Sequence, residues 1–328
     1  LSKEKDNMPN LYNGDDEMRR REFIKAAALT SLSLPVLGCM GKAQEPNTTK
    51  PSATSGGVPA ALPFDLTVAQ GTDPVDLLER GFKAIGGIQR FVKQGGLVVI
   101  KPNFSVPRTP EEAATTNTVM VATLVKMCLG AGAKEVKVVD QPLNSSTPLL
   151  CLERTGIKAA VEAAGGKVFT YNGNRDNFRP VTTSGKILTN LEFSKDALDA
   201  DLFINFPILK HHRGAKLTLG MKNFMGLIWD RGFFHRSDLH QCIADLAAVK
   251  KPHLTIMDAI RGITDNGPVG PGPIKEYGQV IFGTDQVAID AYSASLFGMK
   301  PADVDYIRMA ADAGLGQIQW EKLKIQKV

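Results

Sequence analysis

Polar residues recur just beyond the apolar runs of this sequence. Lys101 and Asn103 follow Leu97-Val98-Val99-Ile100, and Asp140 follows the run from Val136 to Val139. Lys210, His211 and His212 come after Leu202 to Phe206, and Asp258 comes after Leu254 to Met257. In an open α/β sheet, ligands sit beyond the carboxyl ends of the strands, so these side chains are placed to do chemistry. Their types divide by role: ammonium and amide groups hold anions, histidine exchanges protons near neutral pH, and carboxylates orient a histidine or ligate a metal. On that division Lys101, Asn103, Lys210, His211, Lys222 and Asn223 are the expected substrate-binding residues. His212, His240 and Asp258 form the expected catalytic set, and Asp140 and Asp290 are the expected metal ligands. Such donors suit zinc, iron or manganese, but no His-x-x-x-His pair selects among them. Asp285 reads as a helix N-cap, whereas Asp290, beyond the first turn, has no such local role.

Charge patterning points the same way. From Pro207 to Ser237 the chain carries Lys210, Arg213, Lys216, Lys222, Arg231 and Arg236 against Asp230 alone. That excess equals the excess of the whole chain, which has 39 Lys and Arg against 34 Asp and Glu. A cleft lined by one sign of charge concentrates the opposite one, so an anionic small molecule is the expected partner. A basic surface facing anionic lipid is the alternative, and the apolar residues from Leu217 to Trp229 around Lys222-Asn223 argue against it. Nucleic acid is an unsuitable partner, because aromatics are sparse at 7% and no binding module is recognisable. The Gly267-Pro268-Val269-Gly270-Pro271-Gly272-Pro273 loop brings backbone close to a ligand but lacks the Lys-Ser or Lys-Thr ending of a phosphate-binding loop.

The elements that must position these residues alternate. Leu66 to Ala69 reads as a strand, the period from Val75 to Ile88 as a helix, and Leu97 to Ile100 as a strand. The pattern repeats through a helix at Val119–Leu129, a strand at Val136–Val139, a helix at Ile157–Ala164 and a strand at Val168–Tyr171. Later strands are expected at Leu202–Phe206, Leu254–Met257 and Val280–Phe282, with helices at Leu239–Val249 and Asp285–Phe297. The expected fold is therefore α/β, a mostly parallel sheet with helices on both faces. The alternating Val181, Ile187 and Leu191 between Asn172 and Leu191 predict a small antiparallel insertion.

The amino-terminal segment predicts export. Arg20-Arg21 followed by Glu22-Phe23-Ile24-Lys25 and an apolar stretch resembles a twin-arginine signal, and Val36-Leu37-Gly38-Cys39 resembles a lipobox. Residues 1–39 are thus the expected signal, with 1–17 upstream of a natural start at Met18, and Cys39 is the expected lipid attachment. Residues 40–63, rich in Pro, Thr, Ser, Ala and Gly, form the expected linker, and 64–328 the α/β domain. This implies periplasmic or cell-surface localisation, with a membrane reached through a lipid anchor. Besides Cys39, the chain has Cys128, Cys151 and Cys242, widely spaced and without Cys-x-x-Cys, so no ferredoxin-type iron–sulfur motif can be written.

Taken together, Lys101-Pro102-Asn103, the block from Lys210-His211-His212 to Lys222-Asn223-x-x-Gly226, His240 ahead of Asp245-Leu246, Asp258 with its downstream Gly-Pro, and Asp285-x-x-x-x-Asp290 resemble the domain-of-unknown-function family 362. Some relatives carry ferredoxin-type cysteine clusters that this chain lacks. The resemblance supports the fold and the residue set and names no reaction. Two expectations follow. One is an exported enzyme acting on an anionic small molecule with a divalent metal or a bound cofactor, its acid–base group one of His211, His212 or His240. The other is a non-catalytic lipoprotein that captures an anion or assists cofactor assembly.

Overall fold

The computed structural model describes residues 61–143 and 148–328, so the expected signal, Cys39 and nearly all of the expected linker lie outside the described residues. The strands in chain order are β1 (Leu66–Gln70), β2 (Leu97–Pro102), β3 (Glu135–Asp140), β4 (Lys167–Thr170), β5 (Phe178–Thr182) and β6 (Asn190–Ser194). They continue as β7 (Leu202–Phe206), β8 (Lys210–His212), β9 (Lys216–Thr218), β10 (Leu254–Ile263), β11 (Ile274–Gly283) and β12 (Ile325–Lys327). The helices are α1 (Pro74–Ala84), α2 (Thr118–Gly130), α3 (Pro148–Thr155), α4 (Ile157–Ala163) and α5 (Lys195–Asp199). After them come α6 (Gly220–Asn223), α7 (Gly232–Arg236), α8 (Leu239–Ala247), α9 (Gln286–Leu296) and α10 (Asp305–Asp312).

Eight strands form one sheet in the order β12-β1-β11-β10-β7-β2-β3-β4. The ladders from β4 through β3, β2 and β7 to β10 are parallel, and β11 runs antiparallel to both its neighbours, β10 and β1. The expected α/β class and mostly parallel sheet are therefore observed, with the antiparallel insertion as the separate β5–β6 hairpin. That hairpin runs on to Ser194, beyond the expected Leu191, because Phe193 and Ser194 are themselves buried.

Alternation within the strands explains how the sheet is covered on both sides. Val98, Ile100, Val138, Leu202, Ile204 and Ile256 point to one core, where α1, α2 and α4 pack. Their neighbours Val99, Val139, Phe203, Met257 and Ile281 point to the other, filled by α6, α8, α9 and α10. Strands buried on both faces must be apolar throughout, which is why they read as short continuous hydrophobic runs. Polar residues within that second face are exceptions: Lys101 follows Val99 at the strand period, and its ladder partner on β7 is Asn205, two beyond Phe203. Successive strands β2, β3 and β4 step one way across the sheet, and β7 and β10 lie on the other side of β2. The order thus reverses between β2 and β7, and a crevice opens at the carboxyl end of such a switch point.

Candidate functional site

At that reversal β2 ends in a buried ion pair. Lys101 Nζ lies 2.8 Å from Asp140 Oδ1 at the end of β3, with both side chains 1% exposed. Asp140 also accepts from the backbone N–H groups of Phe104 (2.9 Å) and Gln141 (2.8 Å), so both of its oxygens are engaged. Lys101 donates further to the Pro102 carbonyl at 2.7 Å and to Asn223 Oδ1 at 3.1 Å. Burial pulls the Lys101 ammonium below its ordinary pKa, and Asp140 opposes that pull.

Asn223 ties the wall together. Its Oδ1 accepts from Lys101 and from Asn103 Nδ2 (3.2 Å), while its Nδ2 donates to the Lys101 carbonyl and to Asn205 Oδ1, both at 2.9 Å. Asn205 passes the network on to the Gly220 carbonyl at 2.9 Å. Four partners fill the capacity of this amide, so Asn223 is a structural hub of the site. Gly226, three residues on, has no room for a side chain: a Cβ there would stand 2.0 Å from Asp140 Oδ1. The Lys-Asn-x-x-Gly block thus has a physical reading in which the amide braces the ion pair and the glycine lets the backbone close over it.

Lys210, fully buried on β8, donates to the Ala114 carbonyl (2.5 Å), Asn103 Oδ1 (3.2 Å) and the Pro268 carbonyl (3.2 Å). Through these bonds the loop after β2 and the Gly-Pro loop after β10 meet at one ammonium. Burial, with Lys222 adding repulsion, draws its pKa down to about 7. Lys222 on α6 is nearly as buried, and the one hydrogen-bond partner of its ammonium among the described residues is Met225 Sδ at 3.5 Å. Burial first, then Arg231, lowers it to about 7 as well.

His212 Nδ1 accepts from the backbone N–H groups of Gly214 (3.1 Å) and Ala215 (3.0 Å). Two donors on Nδ1 leave the ring proton on Nε2, and burial with the charge of Lys222 drives the pKa down to about 2. His212 is therefore a fixed neutral N–H donor, unlike the proton-exchanging group expected for a histidine. His211 Nδ1 likewise accepts from Gly267 N, at 3.0 Å, and so holds the Gly-Pro loop. Asp258 accepts from Asn117 N (2.9 Å) and Ile260 N (3.2 Å), tying the start of α2 to β10, and burial raises its pKa to about 6.

Two expected members have no hydrogen bond or ion pair to the lysine ammonium groups among the described residues. His240, in the first turn of α8, stacks on Tyr306 with ring centroids 6.1 Å apart and leaves its Nδ1 buried without a partner. Asp290 accepts from Gly220 N (2.7 Å) and Met221 N (3.0 Å), so it caps α6 from across the core, and burial raises its pKa to about 7. It therefore has a structural role in the tertiary fold after all. Asp140 and Asp290, the expected metal ligands, have separate partners with all four oxygens occupied. Among the described residues no group of three or more His, Cys, Asp or Glu is arranged to hold a metal ion.

Arg231 carries no individual signal in the sequence beyond its charge in the basic stretch from Pro207 to Ser237. Arg231 donates to the Gln141 and Pro142 carbonyls at 2.7 and 2.6 Å, fixing the chain after β3, and adds positive potential at Lys222. Gln141 carries none either; its Oε1 is buried without a partner, as is Thr115 Oγ1 beside the Lys210 acceptor Ala114. The site therefore gathers Lys101, Lys210, Lys222 and Arg231 around a single paired carboxylate, a positive and largely dry arrangement.

The sequence profile of a family described as Domain of unknown function (DUF362) matches residues 98–295, from β2 to α9. A thylakoid-associated protein of Synechocystis sp. (strain ATCC 27184 / PCC 6803 / Kazusa) is 28% identical over 240 residues, which is 71% of this chain and 72% of the relative. Among solved structures, the lactate racemase apoprotein from Thermoanaerobacterium thermosaccharolyticum aligns with a TM-score of 0.42 and 16% identity. That alignment covers 58% of this chain and 50% of the other, so the match spans half the length of the solved protein.

Proposed function

This chain belongs to the family described as a domain of unknown function (DUF362), and from that footing we propose that the carboxyl edge of its sheet is the active site of an enzyme acting on an anionic small molecule. The observation that carries the proposal is Lys222. A buried ammonium is costly without a counter-ion, and here its one hydrogen-bond acceptor among the described residues is a thioether. A bound anion would supply the missing charge. Lys210, with three oxygen acceptors for three N–H groups, holds the loops together. His212 offers Nε2–H as a neutral donor, a polarising rather than proton-accepting role. The acid–base duty then falls to Lys222, which exchanges its proton near neutral pH.

The test is a panel of inorganic phosphate, sulfate, acetate and oxalate, measured as shifts in melting temperature. At least one anion should stabilise the native chain, more strongly below pH 7 than above it. Lys222→Met should lose that stabilisation while folding as well as the native chain, because methionine fills the space of the lysine stem. Equal shifts in the variant would remove Lys222 from the site.

Export and tethering belong to the same proposal. Arg20-Arg21 and Cys39 support it, as does a relative whose name associates it with thylakoids. Replacing both arginines by lysine should retain the protein in the cytoplasm, and Cys39→Ala should move it from the membrane to the soluble fraction. Unchanged fractionation of both variants would refute the tether.

A further inference from the structure

The two lysines lowered by burial differ in what surrounds their nitrogens, and the difference bears on chemistry. Lys210 has an oxygen acceptor for each of its three N–H bonds, the arrangement that suits an ammonium. Lys222 has a single soft sulfur at 3.5 Å, and no acidic side chain offsets the repulsion from Arg231. A thioether accepts weakly, so the Lys222 environment suits the uncharged amine with its lone pair free. Lys222 is also 9% exposed where Lys210 is 0%, so it is the less enclosed of the two side chains. An apolar, cation-flanked amine is a nucleophile toward carbonyl carbon.

We infer that Lys222 condenses with the carbonyl group of an anionic carbonyl compound, a 2-oxo acid or close analogue, to form an imine on the enzyme. The inference rests on the anion site proposed above and adds the substrate class. The cations supply the reason for a carboxylate next to the carbonyl: Arg231 bears directly on Lys222, and Lys210 is coupled to it electrostatically. In the condensation the Nζ lone pair attacks the carbonyl carbon and a C–N bond forms. Both hydrogens of the neutral amine pass to the former carbonyl oxygen, which leaves as water. Nothing is oxidised or reduced, and no co-reactant is needed.

Glyoxylate is the smallest probe with both groups, and acetate lacks the carbonyl. The full chain is incubated with glyoxylate and sodium cyanoborohydride, digested, and mapped by mass spectrometry, with melting temperature followed in parallel without reductant. The expected result is a carboxymethyl adduct on Lys222 at glyoxylate concentrations that leave the exposed Lys93 and Lys167 unmodified. Labelling should be half-maximal near pH 7, whereas an ordinary lysine would require pH near 10. Lys222→Arg should keep the glyoxylate-induced rise in melting temperature and lose the adduct. If glyoxylate stabilises the native chain but Lys222 stays unmodified, the imine is overturned and the anion site stands. If glyoxylate neither stabilises nor labels, the imine is overturned and the phosphate, sulfate and oxalate shifts decide the anion site independently. Adducts spread evenly over exposed lysines would also overturn the imine.

Discussion

Removing the Lys101 ammonium would leave Asp140 with two backbone N–H partners and no direct ion pair, in a place where both side chains are 1% exposed. Breaking a buried pair by deleting one partner typically costs about 3–5 kcal/mol, since the stranded charge cannot be rehydrated. Lys222 presents the opposite case, because its removal strands no carboxylate and relieves repulsion from Arg231. Lys101→Met should therefore lower unfolding free energy by about 3–5 kcal/mol, while Lys222→Met leaves it unchanged or raises it. Urea denaturation of both variants at pH 7.5 checks the contrast. Equal losses would mean that Lys222 is also a structural bridge.

Elements place these residues, and their legibility in the sequence follows from how each is stabilised. The strands β2, β3, β7 and β10 are buried on both faces, so each declares itself as an apolar run, and the residue at its end can be read off as a site candidate. Hence Lys101, Asn103, Asp140, Lys210 and Asp258 were visible from sequence. The three-residue strands β8 and β9 and the four-residue α6 have no period to read, and only tertiary contacts hold them. The capping of α6 by Asp290 crosses 70 residues of chain, so sequence could mark that aspartate as unexplained but could not say what it explains. His212 was visible as a histidine in the right region, yet its tautomer depends on Gly214 and Ala215 turning their N–H groups back onto Nδ1. The antiparallel direction of β11 was equally hidden, because an apolar run carries no arrow.

Across the whole molecule the displaced pKa values combine into a pH profile for stability. Asp258 and Asp290 are raised to about 6 and about 7, above the ordinary carboxylate value. The folded state therefore holds more protons than the unfolded one between about pH 4 and pH 7, and these two groups make stability fall as pH rises through that interval. Lys222 and Lys210 are displaced the other way, to about 7 from an ordinary value near 10.4. Above pH 7 the unfolded chain binds protons that the folded chain has released, so each lysine makes stability rise with pH, by at most about 1.4 kcal/mol per unit. The oxygen acceptors of Lys210 favour its ammonium and reduce its share, leaving Lys222 the main contributor. Buried Cys128 and Cys242, raised to about 12 and about 11, pull the other way once unfolded thiols begin to ionise, which closes the window near pH 8.5. The ligand-free protein should consequently melt at a higher temperature at pH 8.5 than at pH 7. Lys222→Met should abolish most of that rise, and a bound anion should narrow it by stabilising the charged amine at pH 7. Differential scanning calorimetry of the native chain and the variant across pH 7 to 8.5, with and without phosphate, measures all three effects. A melting temperature that falls over this interval in the native chain would mean that Lys222 keeps its proton in the folded state, and the amine could then serve neither as acid–base group nor as nucleophile.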